Sequence, residues 1–145
     1  MEMTAVETSD MVKGKQELIL LVEDNDTTRL AITQGLESLN YRVLQARDGL
    51  EAMDVLDRSA DQIALVLSDV VIPRMGGVAL LRTLHARQWH IPFVMLTGHT
   101  QQNQMTSLQN YGLSGWLTKP LRLESLAQVV AQVLTQEDRD DRNDR

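Results

Sequence analysis

Ile63-Ala64-Leu65-Val66-Leu67-Ser68-Asp69, followed by Val70-Val71-Ile72-Pro73-Arg74-Met75-Gly76-Gly77, is the stretch whose reading decides the fold. A short, almost wholly apolar run of Val, Ile and Leu predicts a strand buried on both faces. It stops at one carboxylate before a loop marked by Pro and Gly. Asp69 thus stands at the carboxyl end of a central strand. In open parallel α/β sheets, ligands bind in the crevice outside those ends. Asp also serves as an ordinary turn or cap residue, so the rest of the chain must decide between the two roles.

A second acid-ended strand lies upstream. Leu18-Ile19-Leu20-Leu21-Val22 is another continuous apolar run, and it delivers Glu23, Asp24, Asn25 and Asp26 together. Asn25 or Asp26 can cap a helix to about Leu39 that buries Ile32, Leu36 and Leu39. Tyr41–Ala46 reads as a shorter, more polar strand suited to an edge. Asp48-Gly49 opens a helix to about Arg58, burying Leu50 or Ala52, with Met53 and Leu56. Downstream of the central strand, Gly77 to Arg87 carries Val78, Leu81, Leu84 and His85 at helical spacing, and Pro92–Leu96 is a fourth strand ending at Thr97-Gly98. Residues 99–111 predict a poor helix with Met105, Leu108 and Tyr111 on its apolar side. Gly115–Thr118 is a fifth strand stopped by Lys119-Pro120. The last helix, from about Arg122 to Gln136, has a stripe of Leu123, Leu126, Ala127, Val130, Val133 and Leu134.

The chain has 145 residues, 43% of them hydrophobic, which suits one domain with a real core. Residues 1–16 read as a flexible leader or linker, 17–136 as the folded domain, and 137–145 as a polar charged tail or a frayed continuation of the last helix. The net charge of −6 argues against non-specific nucleic-acid binding, and the acids gather toward the two ends. No cysteine is present, which excludes disulfides, thiolate zinc sites and thiol nucleophiles. No apolar run approaches a membrane span and the leader lacks a signal-peptide apolar region, so a cytoplasmic location without direct membrane contact is expected.

Five strands alternating with five helices predict a single doubly wound parallel sheet. The order 2-1-3-4-5 makes the most apolar strands central and puts the switch point between the first and third. That order brings Glu23 and Asp24 beside Asp69. Three converging carboxylates repel one another unless a cation joins them, and a hard divalent ion such as Mg2+ suits oxygen donors. Backbone carbonyls and the Arg74 region can complete the mouth. The next two strands deliver Thr97 and Lys119, a hydroxyl and an ammonium of the kind that hold phosphoryl oxygens.

The pieces ILLVEDN, LVLSDVVIPRMGG, VMLTGH and WLTKP, in this order, make residues 18 to about 136 resemble the receiver domain of two-component response regulators, a flavodoxin-like fold. The resemblance implies an acyl-phosphate formed on Asp69, with the phosphoryl group coming from a histidine kinase or a histidine phosphotransfer domain. It implies Mg2+ held by Glu23, Asp24, Asp69 and the main-chain carbonyl of Val71. Thr97 would hydrogen-bond a phosphoryl oxygen and Lys119 would pair with Asp69 or its phosphate, across a cis Lys119-Pro120 bond. Trp116 falls where the family usually has Tyr or Phe as a rotameric switch, the other reading being a fixed aromatic. His99 is expected as a surface residue, the alternative being a role in placing hydrolytic water.

The resemblance thus implies a switch that catalyses its own aspartyl phosphorylation and dephosphorylation rather than a dedicated enzyme. An aspartyl-nucleophile phosphatase of the haloacid-dehalogenase type would need a second acid where Val71 stands. A phosphorylation-independent scaffold would not need the intact acids, Thr97 and Lys119. The stretch from Gly14 to Asp24 and the Ser68–Val71 phrasing resemble receivers at the carboxyl end of hybrid sensor histidine kinases, so a stand-alone regulator and a piece of such a kinase both remain open. From Thr100 to Thr118 there is no Asp, Glu, Lys or Arg. A monomer, or weak self-association, is therefore expected in place of a salt-bridged dimer on that face, with no direct nucleic-acid contact.

Overall fold

The computed structural model of the protein describes residues 11–98 and 103–143, with side chains as far as Gln136. Residues 1–10, and His99 with the start of the expected fourth helix, lie outside the described residues.

In chain order the elements are β1 (Leu18–Val22), α1 (Asp26–Ser38), β2 (Arg42–Ala46), α2 (Gly49–Ser59), β3 (Ile63–Asp69), α3 (Gly77–Ala86), β4 (Phe93–Thr97), α4 (Met105–Leu108), β5 (Leu113–Thr118) and α5 (Leu123–Asn143). A 3-10 turn over Ala60–Gln62 leads into β3, and another over Gln109–Tyr111 follows α4. The sheet is parallel throughout, in the order β2-β1-β3-β4-β5. Hydrophobicity explains this order. β1 and β4 are buried at every position, which suits strands covered on both faces, whereas β2 exposes Arg42 and Gln45 and takes an edge.

The period of two splits the core. Leu18, Leu20, Val22, Val66, Phe93 and Met95 meet α2 and α3 on one face, where Met105 and Leu108 of α4 join them. Ile19, Leu21, Leu65, Leu67, Val94 and Leu96 meet α1 and α5 on the other. Local caps start the helices on each face. The Asn25 side chain accepts from the Thr28 amide at 2.9 Å, and Asp48 accepts from the Glu51 amide at 2.8 Å.

Three details differ from the sequence reading, and the open choice between Leu50 and Ala52 in α2 is resolved. In α3 the buried stripe is Gly77, Leu80, Leu81 and Leu84, while His85 is exposed and sets its ring edge against Tyr111. Gly77 starts the helix close to β3: a Cβ there would stand 2.4 Å from the Asp69 carbonyl oxygen, so only a bare backbone fits. In α2 it is Ala52 that is buried and Leu50 that is exposed. α4 is only four residues long. Residues 14–16, read as part of the leader, are tied to the end of α1: Gly14 and Gln16 amides donate to the Leu39 and Asn40 carbonyls at 2.7 and 2.9 Å. At the other end α5 continues to Asn143, in line with the helical alternative for the tail.

Candidate functional site

The carboxyl ends of β1, β3 and β5 place Glu23, Asp69 and Lys119 together because β1 adjoins β3 on one side and β5 lies two strands away on the other, all in one parallel sheet. Lys119 Nζ donates to Asp69 Oδ2 at 2.5 Å and to Glu23 Oε1 at 2.9 Å. Glu23 is only 1% exposed and Asp69 8%. Asp24 is exposed at the rim, and oxygens of all three acids lie within 4.8 Å of one another. Val71 turns its side chain to solvent and directs its amide at Asp69 Oδ1, 3.3 Å away. The second Asp69 oxygen is thus held by the loop that follows β3.

The electrostatics follow from burial and like charge. Burial holds the Glu23 carboxyl above the usual range. Its bond from Lys119 pulls the other way, and the Asp69 charge adds to the rise. Burial works against the Lys119 ammonium, but its bonds to Asp69 and Glu23 outweigh that and raise its pKa. Glu23 is therefore reluctant to ionise, and Lys119 stays a cation. Lys119 takes one oxygen each from Asp69 and Glu23; Asp69 Oδ1 and Glu23 Oε2 carry only longer backbone contacts, from the Val71 amide at 3.3 Å and the Asn25 amide at 3.5 Å, and with the Asp24 carboxylate they make a set of hard donors. Such a set fits a divalent cation of the Mg2+ or Ca2+ kind and offers no soft ligand.

Thr97 is fully buried at the end of β4, its hydroxyl donating to the Gly98 carbonyl at 3.1 Å. Its own carbonyl accepts the Lys119 amide at 2.8 Å, and the Lys119-Pro120 bond is cis. Trp116 is half-buried, pairs with Met95 across β4 and β5, and packs against the core cluster of the α2 and α3 face. By the strand period Thr97 and Met95 share that face.

Sequence reasoning missed Arg29, and it placed Arg74 at the mouth without its partner. Arg29 is buried, with Nη1 donating to the Glu23 carbonyl at 3.0 Å, Nε to Gln45 Oε1 at 3.0 Å and Nη2 to Asp26 Oδ1 at 2.6 Å. The signal was available: positions 29, 32, 33 and 36 form the buried stripe of α1, and a cation sits in it. Arg74, expected near the mouth, spends its guanidinium on Asp48, with Nε and Nη2 at 3.0 and 2.9 Å from Oδ2. The bond from the Glu51 amide, together with Arg74, holds the Asp48 carboxyl below the usual range. Arg74 itself adopts a left-handed φ of 67°. This ion pair and the close approach of Gly49 to the Met75 carbonyl fasten the β3–α3 loop onto the start of α2.

Comparison with known proteins bears on the fold and the family. The family model described as response regulator receiver domain matches residues 19–131. Sensor kinase CckA of Brucella abortus is 34% identical over 120 residues, 83% of this chain and 13% of that protein. The two-component response regulator-like APRR7 of Arabidopsis thaliana is 32% identical over 110 residues, 74% of this chain and 15% of that protein. The chain thus spans under a sixth of the length of these relatives. Among solved structures, the signal receiver domain of a signal transduction histidine kinase from Syntrophus aciditrophicus superposes with a TM-score of 0.73 at 30% identity, covering 83% of this chain and 91% of that one. A receiver domain protein from Clostridium thermocellum shares the fold with a TM-score of 0.79 at 23% identity, covering 83% and 96%. Among the described residues no helix is long and apolar enough to cross a membrane. With the matched segment running from Ile19 in β1 through β5 and into the first half of α5, the chain belongs to the response regulator receiver domain family of two-component signal transduction.

Proposed function

We propose that Asp69 accepts a phosphoryl group from the phosphohistidine of a histidine kinase or histidine phosphotransfer domain, and that the chain switches conformation in response. The observation that carries this reading is the Asp69 carboxylate at the end of β3, held by Lys119 on one oxygen and by the Val71 amide on the other, beside Glu23 and Asp24. A carboxylate oxygen of Asp69 forms the new O–P bond as the P–N bond of the donor breaks. The electron pair stays on the imidazole nitrogen, which leaves as neutral imidazole when the donor ring carries a proton on its other nitrogen. Lys119 stays beside the acceptor and balances charge gathering on the phosphoryl oxygens. Water attack at phosphorus later returns the carboxylate and releases phosphate, so the chain acts on itself and turns over no separate substrate.

Glu23, Asp24, Asp69 and the Val71 carbonyl are the groups that would hold Mg2+, and a bound Mg2+ neutralises charge on the transferred phosphoryl group. Thr97 moves its hydroxyl from the Gly98 carbonyl to a phosphoryl oxygen. That motion vacates space on the face it shares with Trp116, and the indole follows. The face from α4 to β5 carries no formal charge, which suits a monomer or weak self-association and a partner that docks without ion pairs.

Incubation with Mg2+ and acetyl phosphate, read by intact mass, tests the assignment. A single phosphoryl addition is expected in the wild type and none in Asp69→Asn. Incorporation into Asp69→Asn at the wild-type rate refutes it. Steady hydrolysis of many phosphate esters would support the phosphatase reading, and no addition at all the scaffold reading.

A further inference from the structure

We propose that Arg29 is a positioning residue for the Glu23-Asp24 acid pair, and that it works through the peptide joining the two acids rather than through its charge. The inference rests on the metal-site reading above and goes beyond it to a residue outside the carboxylate cluster.

Arg29 lies on the buried stripe of α1 with Ile32, Thr33 and Leu36, where an apolar side chain would pack without desolvating a cation. Its guanidinium instead reaches three elements at once. Nη1 donates to the Glu23 carbonyl at the end of β1, Nε to Gln45 on β2, and Nη2 to Asp26 in the first turn of α1. The Glu23 carbonyl belongs to the peptide unit that runs into Asp24. On its other side, the Glu23 amide donates to the Ala46 carbonyl at 3.0 Å. The main chain of Glu23 is therefore held from both sides. Its side chain is left to point at Lys119, and Asp24 leaves the same peptide toward the rim.

The ion pair with Asp26 is the expendable part. The Asp26 side chain is 83% exposed, so solvent screens that contact. The bonds to the Glu23 carbonyl and Gln45 use the planar fork of the guanidinium, which an ammonium cannot reproduce at two acceptors in fixed directions. Charge and geometry thus predict different outcomes for Arg29→Lys.

Calorimetric titration of the chain with Mg2+ alone, for Arg29→Lys, Arg29→Gln, Asp26→Asn and a core control, Leu56→Val on the opposite face, separates them. Both Arg29 variants are expected to bind Mg2+ about 10-fold more weakly or worse, as when other outer partners of metal ligands are removed. Asp26→Asn is expected within about 2-fold of wild type, as for a screened surface pair. Leu56→Val is expected to bind as wild type although its melting temperature falls. In the metal-free protein, hydrogen exchange at the Glu23 amide should speed up in the Arg29 variants while amides in the middle of β3 keep their protection. Wild-type affinity in Arg29→Lys, or losses no larger than those of Leu56→Val, would overturn the proposal. A wild-type chain that binds no Mg2+ overturns the metal reading and this proposal with it, whereas wild-type binding with unaltered Arg29 variants overturns this proposal alone.

Discussion

Replacing Lys119 with Met should destabilise the metal-free protein in a pH-dependent way. The substitution keeps the apolar stem and removes the ammonium that lies 2.5 Å from Asp69 and 2.9 Å from Glu23. Three acids then face one another within 4.8 Å without a cation. At that separation each like-charge pair costs about 1 kcal/mol in water and about 3.5 kcal/mol at an effective dielectric constant near 20. Breaking a buried pair costs about 3–5 kcal/mol, but the Lys119 side chain is 33% exposed, so solvent screening brings the expected loss to about 2 kcal/mol at pH 8. The pH dependence comes from Glu23. Its pKa is raised in the folded protein, so its share of stability is fully present below the ordinary value of 4.5 and is lost as pH rises through the raised one. Without Lys119 that pKa rises further, so the loss extends to higher pH. The deficit of the variant should therefore be smallest near pH 5 and largest at pH 8. Urea unfolding of both proteins in EDTA at stepped pH measures it. Millimolar Mg2+ should then restore more stability to Lys119→Met than to wild type, because the cation takes over the missing charge. A deficit that stays below about 0.5 kcal/mol at every pH would class Lys119 with ordinary surface pairs and refute this account.

Three other outcomes follow from the same geometry. A beryllofluoride phosphoryl mimic with Mg2+ should change the emission of Trp116, which packs on the Thr97 face, far more than that of Trp89, which lies under Arg87 ahead of β4; a signal that survives in Trp116→Phe contradicts this. Gly49→Ala should lower urea stability by about 1–3 kcal/mol, since the new Cβ would stand 2.1 Å from the Met75 carbonyl oxygen; unchanged stability would show that the loop yields freely. Sedimentation with and without the mimic should show no salt-sensitive dimer, and a mimic-dependent dimer that weakens steeply with added salt would show that charges outside 100–118 build an interface.

The strands were legible because a strand covered on both faces must be apolar along its whole length. β1, β3 and β4 announce themselves in this way, and their order follows from which strands are richest in Val, Ile and Leu. Glu23, Asp24, Asp69, Thr97 and Lys119 were legible for a related reason, since each is the first or second polar residue after a strand's apolar run. The structure brings Glu23, Asp24 and Asp69 together with Lys119. Arg29 escaped notice because a local pattern shows a cation in an apolar stripe but not the carbonyl it finds across the sheet end. The Asp48–Arg74 pair joins positions 26 residues apart, and its geometry depends on a left-handed backbone at Arg74 that composition does not signal. In α3 the close approach of Gly77 to β3 was not legible, because that residue acts through having no side chain. α4 offers Met105 and Leu108 to the core and little else, too few apolar groups to fix a longer helix from pattern alone.

The bond between the Lys119 amide and the Thr97 carbonyl bears on time as well as on shape. It extends the β4–β5 ladder to the residues that are proposed to face the phosphoryl group, so their backbones cannot drift apart without breaking sheet hydrogen bonds. Thr97 can answer a new charge on Asp69 only by turning about its own side-chain bond, and as a β-branched residue it has few states to choose from. Such a turn breaks no sheet hydrogen bond, whereas rearrangement of packed outer elements such as α4 belongs to microseconds and longer. On the proposed reading, the lag between phosphorylation and response is therefore set by packing around Trp116 and α4 rather than by chemistry at the strand ends.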